Sequence, residues 1–188
     1  MIQVGILFLT YTGALAQVID IGHCPKVTVV DDFDVTKYEG LWYEIKKYYA
    51  IFEKDGQCIT ANYTLNADGT LKVVNSQISS QNGQSSSAQG TAKFVGSKTE
   101  GKLSVVFQST IIQIPGPYWI LYTDYDTLAV VYSCVDAFFS HATNVWILAR
   151  APKLSDEDLA TAYTALEDNN LSKGPLQDTV QTNCKSKA

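Results

Sequence analysis

Residues 34–48, DVTKYEGLWYEIKKY, decide how the rest of this chain is read. At their centre stands Gly40-Leu41-Trp42-Tyr43. Gly40 lets the backbone turn sharply into a strand. Trp42 brings a large apolar body with one N–H to satisfy, which suits a plug at the narrow end of a barrel. Four residues with one free position recur by chance, so the reading depends on what accompanies them.

Working outward, short strand-like runs follow at even spacing: 41–48, 58–65, 70–79, 88–95, 102–110, 118–123, 128–135 and 143–149. Asp68-Gly69 between the second and third is a hairpin signal. The Gln-, Ser- and Gly-rich stretch 81–87 reads as a loop, and Pro115-Gly116-Pro117 as a breaker. Eight antiparallel strands without a helical crossover predict an all-β, up-and-down barrel. Eight is also a strand number whose interior holds one small ligand. One helix is expected near the C-terminus. Ser155 caps it, Asp156, Glu157 and Asp158 sit in its first turn, and Leu159, Ala162, Tyr163 and Leu166 fall on one face. In the last strand Thr143, Val145, Ile147 and Ala149 share one face, and Asn144, Trp146, Leu148 and Arg150 the other. A sheet wetted on its outside would alternate cleanly, so the helix is expected to cover that outside. The tail 171–188 reads as extended.

Upstream, residues 1–16 (MIQVGILFLTYTGALA) read as a secretory signal: an apolar middle, no acidic residue and a small-x-small site at Ala14-Leu15-Ala16. The first region carries only the α-amino charge, and the competing reading is a buried strand. Removal leaves residues 17–188 as one domain, and no later stretch is long and apolar enough to span a bilayer as a helix. The formal net charge of −5 argues against nucleic acid and anionic membrane surfaces as partners. Cys24, Cys58, Cys134 and Cys184 form an even set behind a signal, which reads as two disulfides with three available connectivities. There is no C-x-x-C, and His23 and His141 are the only histidines, which argues against a zinc site. Asn62 and Asn170 begin glycosylation sequons.

Two further signatures arrive in order behind Trp42. Thr123-Asp124-Tyr125 follows the sixth strand, and Arg150 follows the eighth. With Gly40-Leu41-Trp42-Tyr43 these make the chain resemble the lipocalins. A guanidinium in that place stacks on the indole and donates to backbone carbonyls, closing the barrel's narrow end. Cys24-Pro25 ahead of Asp32-Phe33-Asp34, Tyr132-Ser133-Cys134, Asn183-Cys184 and above all the run 140–150 (SHATNVWILAR) resemble the branch that holds apolipoprotein D and the insect bilin-binding lipocalins. That resemblance implies disulfides Cys24–Cys134 and Cys58–Cys184. By position it also implies a pocket of Phe52, Asn75, Gln77, Ala88, Phe107, Ser109, Leu121, Ser133 and His141. In the bilin-binding members a histidine at His141 and an asparagine at Asn75 line the tetrapyrrole pocket. The chain departs from them in a shorter link between its last two strands, where Phe138-Phe139 stand.

The resemblance therefore implies a secreted, non-enzymatic carrier of a small hydrophobic molecule, with a bilin such as biliverdin as the expected ligand and no required cofactor. Transport of a fatty acid or sterol is the alternative within the same class. A lipocalin-type isomerase would need a free thiol in the barrel, and a surface-acting inhibitor would need no cavity. The bland reading stays beside these: most of the 3 Trp, 11 Tyr and 7 Phe are barrel packing, Asn75 caps a strand pair and His141 is a solvated loop residue.

Overall fold

A computed structural model describes residues 18–108 and 114–185. Ten strands make one antiparallel sheet: β1 (Val18–Ile21), β2 (Gly40–Lys47), β3 (Gly56–Leu65), β4 (Leu71–Ser79), β5 (Ser85–Phe94), β6 (Lys102–Phe107), β7 (Gly116–Thr123), β8 (Leu128–Ala137), β9 (Ser140–Ala149) and β10 (Gln177–Asp178). Strands β2 to β9 pair in sequence order, and β9 returns to β2 with Tyr43 opposite Ala149 and Lys47 opposite Trp146. That pairing closes the eight-stranded barrel. The flanking strands were not foreseen: β1 lies on β9, and β10 lies on β2 where β3 has peeled away. The tail is thus part of the sheet, with Thr179 donating to the Ile45 carbonyl and Cys58 to that of Val180.

Several strand limits differ from the sequence reading. Ser85–Ser87 belong to β5, because each finds a partner in β4 despite a loop-like composition. Gly116 and Pro117 open β7 opposite Val105 and Ser104. β9 begins at Ser140, so the link behind β8 is a tight turn at Phe138-Phe139. The signal-like segment 1–16 lies outside the described residues.

Closure of the narrow end follows from a few residues. Gly40 has φ +94°, a left-handed value that L residues resist, and its missing side chain leaves room for the Arg150 guanidinium. Asp34 caps a one-turn helix, α1 (Val35–Tyr38), by accepting from the Thr36 N–H, and the turn carries Tyr38 under the barrel. Trp42 donates its indole N–H to the Tyr38 carbonyl at 2.8 Å. The Arg150 guanidinium lies 3.8 Å above the Trp42 ring centroid. It donates to the carbonyls of Tyr125, Leu41 and Lys37 at 2.8, 3.1 and 2.8 Å, joining three segments. The Thr123-Asp124-Tyr125 turn is held by Asp124 Oδ1, which accepts from the Thr127 and Leu128 N–H groups.

Outside, helix α2 (Asp156–Glu167) starts with a capping box between Ser155 and Asp158. Ala162, Ala165 and Leu166 pack on Val130, Val145 and Ile147, which explains why β8 and β9 are apolar on both faces. Both disulfides have the expected pairing: Cys24–Cys134 fastens the N-terminal arm to β8, and Cys58–Cys184 fastens the tail to β3.

Candidate functional site

The inward positions form two levels. Near the closed end they are apolar or phenolic: Trp42, Leu71, Val73, Leu103, Val105, Val131 and Leu148 share one buried cluster with Tyr38 and Tyr63. Tyr118 links the floor through its hydroxyl, 3.0 Å from that of Tyr38 and 2.6 Å from that of Tyr63. Burial pushes all three phenols above their ordinary range, so the floor is a neutral hydroxyl chain. Nothing here is a base or nucleophile at neutral pH.

Toward the open end the wall becomes polar. Glu44 shares the inner face of Trp42 by alternation, and a bulge in β2 between Glu44 and Lys46 leaves Ile45 and Lys46 outward and returns Lys47 to the inner face, so that Glu44 and Lys47 stand beside the inward Leu148 and Trp146. Lys47 Nζ lies 3.1 Å from Glu44 Oε1 and 2.9 Å from Glu53 Oε2. Glu44 also accepts from the Thr179 hydroxyl at 2.6 Å, so the tail completes this cluster. Burial first and the Glu53 charge second push the Glu44 acid up to about 8, against the pull of Lys47. The Glu53 charge reaches Tyr63 as well and adds to that phenol's upward shift.

Strand alternation places Asn75 and Gln77 of β4 on the inner face with Leu71 and Val73, and Ala88 opposite Asn75 on β5. Phe107 follows Leu103 and Val105 inward, and its ring lies against Gly90, where a Cβ would stand 3.0 Å from it. Ser133 and Asn144 face each other across β8 and β9, both buried. Asn75 Oδ1 and Asn144 Oδ1 are buried and accept no hydrogen bond among the described residues. A buried polar atom without a partner costs about 1–3 kcal/mol. Two such atoms on inward positions are an unmet demand in the interior.

The residues that the resemblance assigns to a pocket are divided by the fold. Asn75, Gln77, Ala88, Phe107 and Ser133 share the inner wall. Phe52 stands at the open end, 57% exposed on the short 3-10 turn Ile51–Glu53. Ser109 lies outside the described residues. Two placements are corrected. Leu121 packs on the outer face with Leu166 and Ala165, because the β7 bulge between Ile120 and Tyr122 leaves Ile120 as the inward side chain. His141 is also outside. With β9 starting at Ser140 it shares the face of Thr143 and Val145, and its Nδ1 meets the Gly22 carbonyl at 3.1 Å under the N-terminal arm. It is a buried strand residue and neither a pocket wall nor a solvated loop.

The sequence reading missed Glu44, Lys47 and Asn144 as interior groups. A signal for Asn144 was present, since parity already grouped it with Trp146 and Leu148. The β2 bulge, which sets the faces of Lys46 and Lys47, leaves no mark in the sequence. Both sequon asparagines, Asn62 and Asn170, are exposed. Two grooves lie outside the barrel, one of about 390 Å³ between the Cys24–Val27 arm and Trp119, the other of about 340 Å³ beside α2. Among the described residues no cluster of three or more His, Cys, Asp or Glu side chains could hold a metal ion, and no helix is long and apolar enough to cross a membrane.

Comparison with known proteins agrees with this architecture. Residues 33–181 match the family model described as a lipocalin-like domain. Apolipoprotein D of Rattus norvegicus is 41% identical over 179 residues, covering 95% of this chain and 91% of the relative. Lazarillo protein of Schistocerca americana is 34% identical over 163 residues, covering 85% and 75% respectively. Among solved structures, insecticyanin from the tobacco hornworm Manduca sexta superimposes with a TM-score of 0.81 at 25% identity, covering 91% of this chain and 94% of its own.

Proposed function

Because the chain belongs to the lipocalin family, we propose that it carries one small hydrophobic ligand inside its barrel and does so outside the cell. One observation carries the reading: a closed barrel, apolar below, presents two buried amide oxygens, on Asn75 and Asn144, that find no donor among the described residues. Affinity then comes mainly from the ligand's apolar body leaving water, at roughly 25 cal/mol per Å². The amides add direction, because each buried oxygen can accept from a ligand N–H or O–H. Secretion is supported by the signal-like segment 1–16 and by two disulfides, which persist in oxidising compartments.

An amphipathic lipid is the preferred ligand. The relatives named apolipoprotein D favour it, and His141, on which the bilin reading leaned, faces away from the interior. A bilin is the second reading, favoured by the two orphan amide oxygens, which suit pyrrole N–H donors. The isomerase alternative loses its nucleophile, since all four cysteines are paired. Titration of the lipid-stripped protein with a fluorescent fatty acid, and separately with biliverdin, tests the proposal. One saturable site with mutual displacement is expected. Absence of saturable binding for both would refute carriage.

A further inference from the structure

Lys47 stands inside the barrel between two acidic side chains of different origin. The side chains of Lys47, Glu44 and Glu53 are 9%, 3% and 10% exposed. Glu44 is built in: it rises from β2 beside inward Leu148 and is held by Thr179. Glu53 comes from the rim turn Ile51–Glu53, whose Ile51 and Phe52 are 52% and 57% exposed. Glu53 is thus the one buried anchor of a turn otherwise facing solvent. A segment with so few buried contacts opens at small cost. Opening the turn leaves the buried Lys47 ammonium with Glu44 alone, whose acid burial biases toward the neutral form, so an arriving anion is favoured there.

We propose that Lys47 is the counter-ion for a carboxylate on the carried ligand, and that Glu53 fills that position in the ligand-free chain, swinging out with its turn when an amphiphilic carboxylic acid enters. The proposal rests on the carrier reading above and names the ligand class for that site. The exchange is balanced in charge: one carboxylate leaves Lys47 for water as another arrives. Geometry fixes the orientation. Lys47 lies at the open end, and Trp146, Leu148 and Val73 line the path toward the tyrosine floor, so the charged end stays at the mouth and the apolar body points down. Long-chain fatty acids and the propionates of a bilin share this chemistry.

The test uses the full chain, stripped of lipid, titrated with cis-parinaric acid and its methyl ester by fluorescence, and with biliverdin and its dimethyl ester by absorbance. In the parent at least one acid should bind about tenfold or more tightly than its ester, the range expected for a charge-assisted contact. A preference confined to the parinaric pair assigns a fatty acid, and one confined to the biliverdin pair assigns a bilin. Lys47→Met should bring the preferred acid down to the affinity of its ester. Glu53→Gln removes the internal competitor and should tighten that acid several-fold. Should Lys47→Met fail to fold, the parental acid–ester comparison and Glu53→Gln still decide. Saturable binding with equal affinity for acid and ester in both pairs, or no tightening in Glu53→Gln, overturns the inference and leaves the carrier reading standing. No saturable binding of any of the four probes overturns both.

Discussion

Arg150→Ala removes the clasp of the closed end, and its cost can be worked from the contacts. The guanidinium at 3.8 Å from the Trp42 centroid is a half-buried cation–π pair, worth about 1 kcal/mol or somewhat more. Its bond to the Tyr125 carbonyl is part-buried, and stranding that oxygen costs about 1–2 kcal/mol. The bonds to Leu41 and Lys37 lie at the surface, where water takes over and little is lost. The total is about 2–3 kcal/mol, which for a domain of this size lowers Tm by roughly 4–12 °C. Thermal unfolding followed by tryptophan fluorescence measures it, since Trp42 reports on the site itself. Arg150→Lys should recover only part of the loss, because one ammonium cannot serve three diverging carbonyls. Ligand stoichiometry should not change, as the clasp lies beneath the tyrosine floor. A variant that melts within a degree of the parent would refute the clasp, and full rescue by lysine would show that charge alone matters.

Other outcomes follow from the same structure. Glu44, pushed up to about 8 from an ordinary 4.5, holds its proton more tightly folded than unfolded, so folding stability should fall as pH rises from about 5 to about 8, by at most about 1.4 kcal/mol per unit. Glu44→Gln should flatten that slope in urea titrations, and an unchanged slope would place the proton elsewhere. Joint Cys58→Ser and Cys184→Ser replacement should cost about 2–5 kcal/mol and speed exchange of the amides at position 58 and at Thr179, whose bonds pin the tail; unaltered exchange would count against the tail as part of the sheet. Asn144→Ala should weaken ligand binding, whereas His141→Ala should leave a bound bilin's absorption band in place. A band shift on changing His141 would return that residue to the pocket.

The sequence by itself determined the barrel, its closure and the helix outside it, whereas the disulfide pairing came from the family resemblance. Each of these is written locally or in residue types that occur for one physical reason. Trp42 and Arg150 are legible because a large indole and a guanidinium in those places have little else to do than stack. The helix face is legible because Ser155 and the spacing of Leu159, Ala162 and Leu166 repeat with the helical period. Asn75, Gln77, Ala88 and Phe107 were named through the family resemblance, and strand alternation is the physical reason they share one wall. Tertiary structure decided the remainder, for want of phase. A bulge of one residue in β2 or β7 reverses every side chain beyond it, and no residue type announces either bulge. That is how Leu121 came to lie under α2 and Lys47 inside the barrel. His141 turned outward because β9 extends to Ser140 through pairing with β8 and β1, which the loop-like local sequence does not reveal. The meeting of Glu44, Lys47, Glu53 and Thr179 joins a strand, a rim turn and a tail more than 120 residues apart at its extremes, and only the closed, disulfide-tied fold brings them within hydrogen-bonding reach.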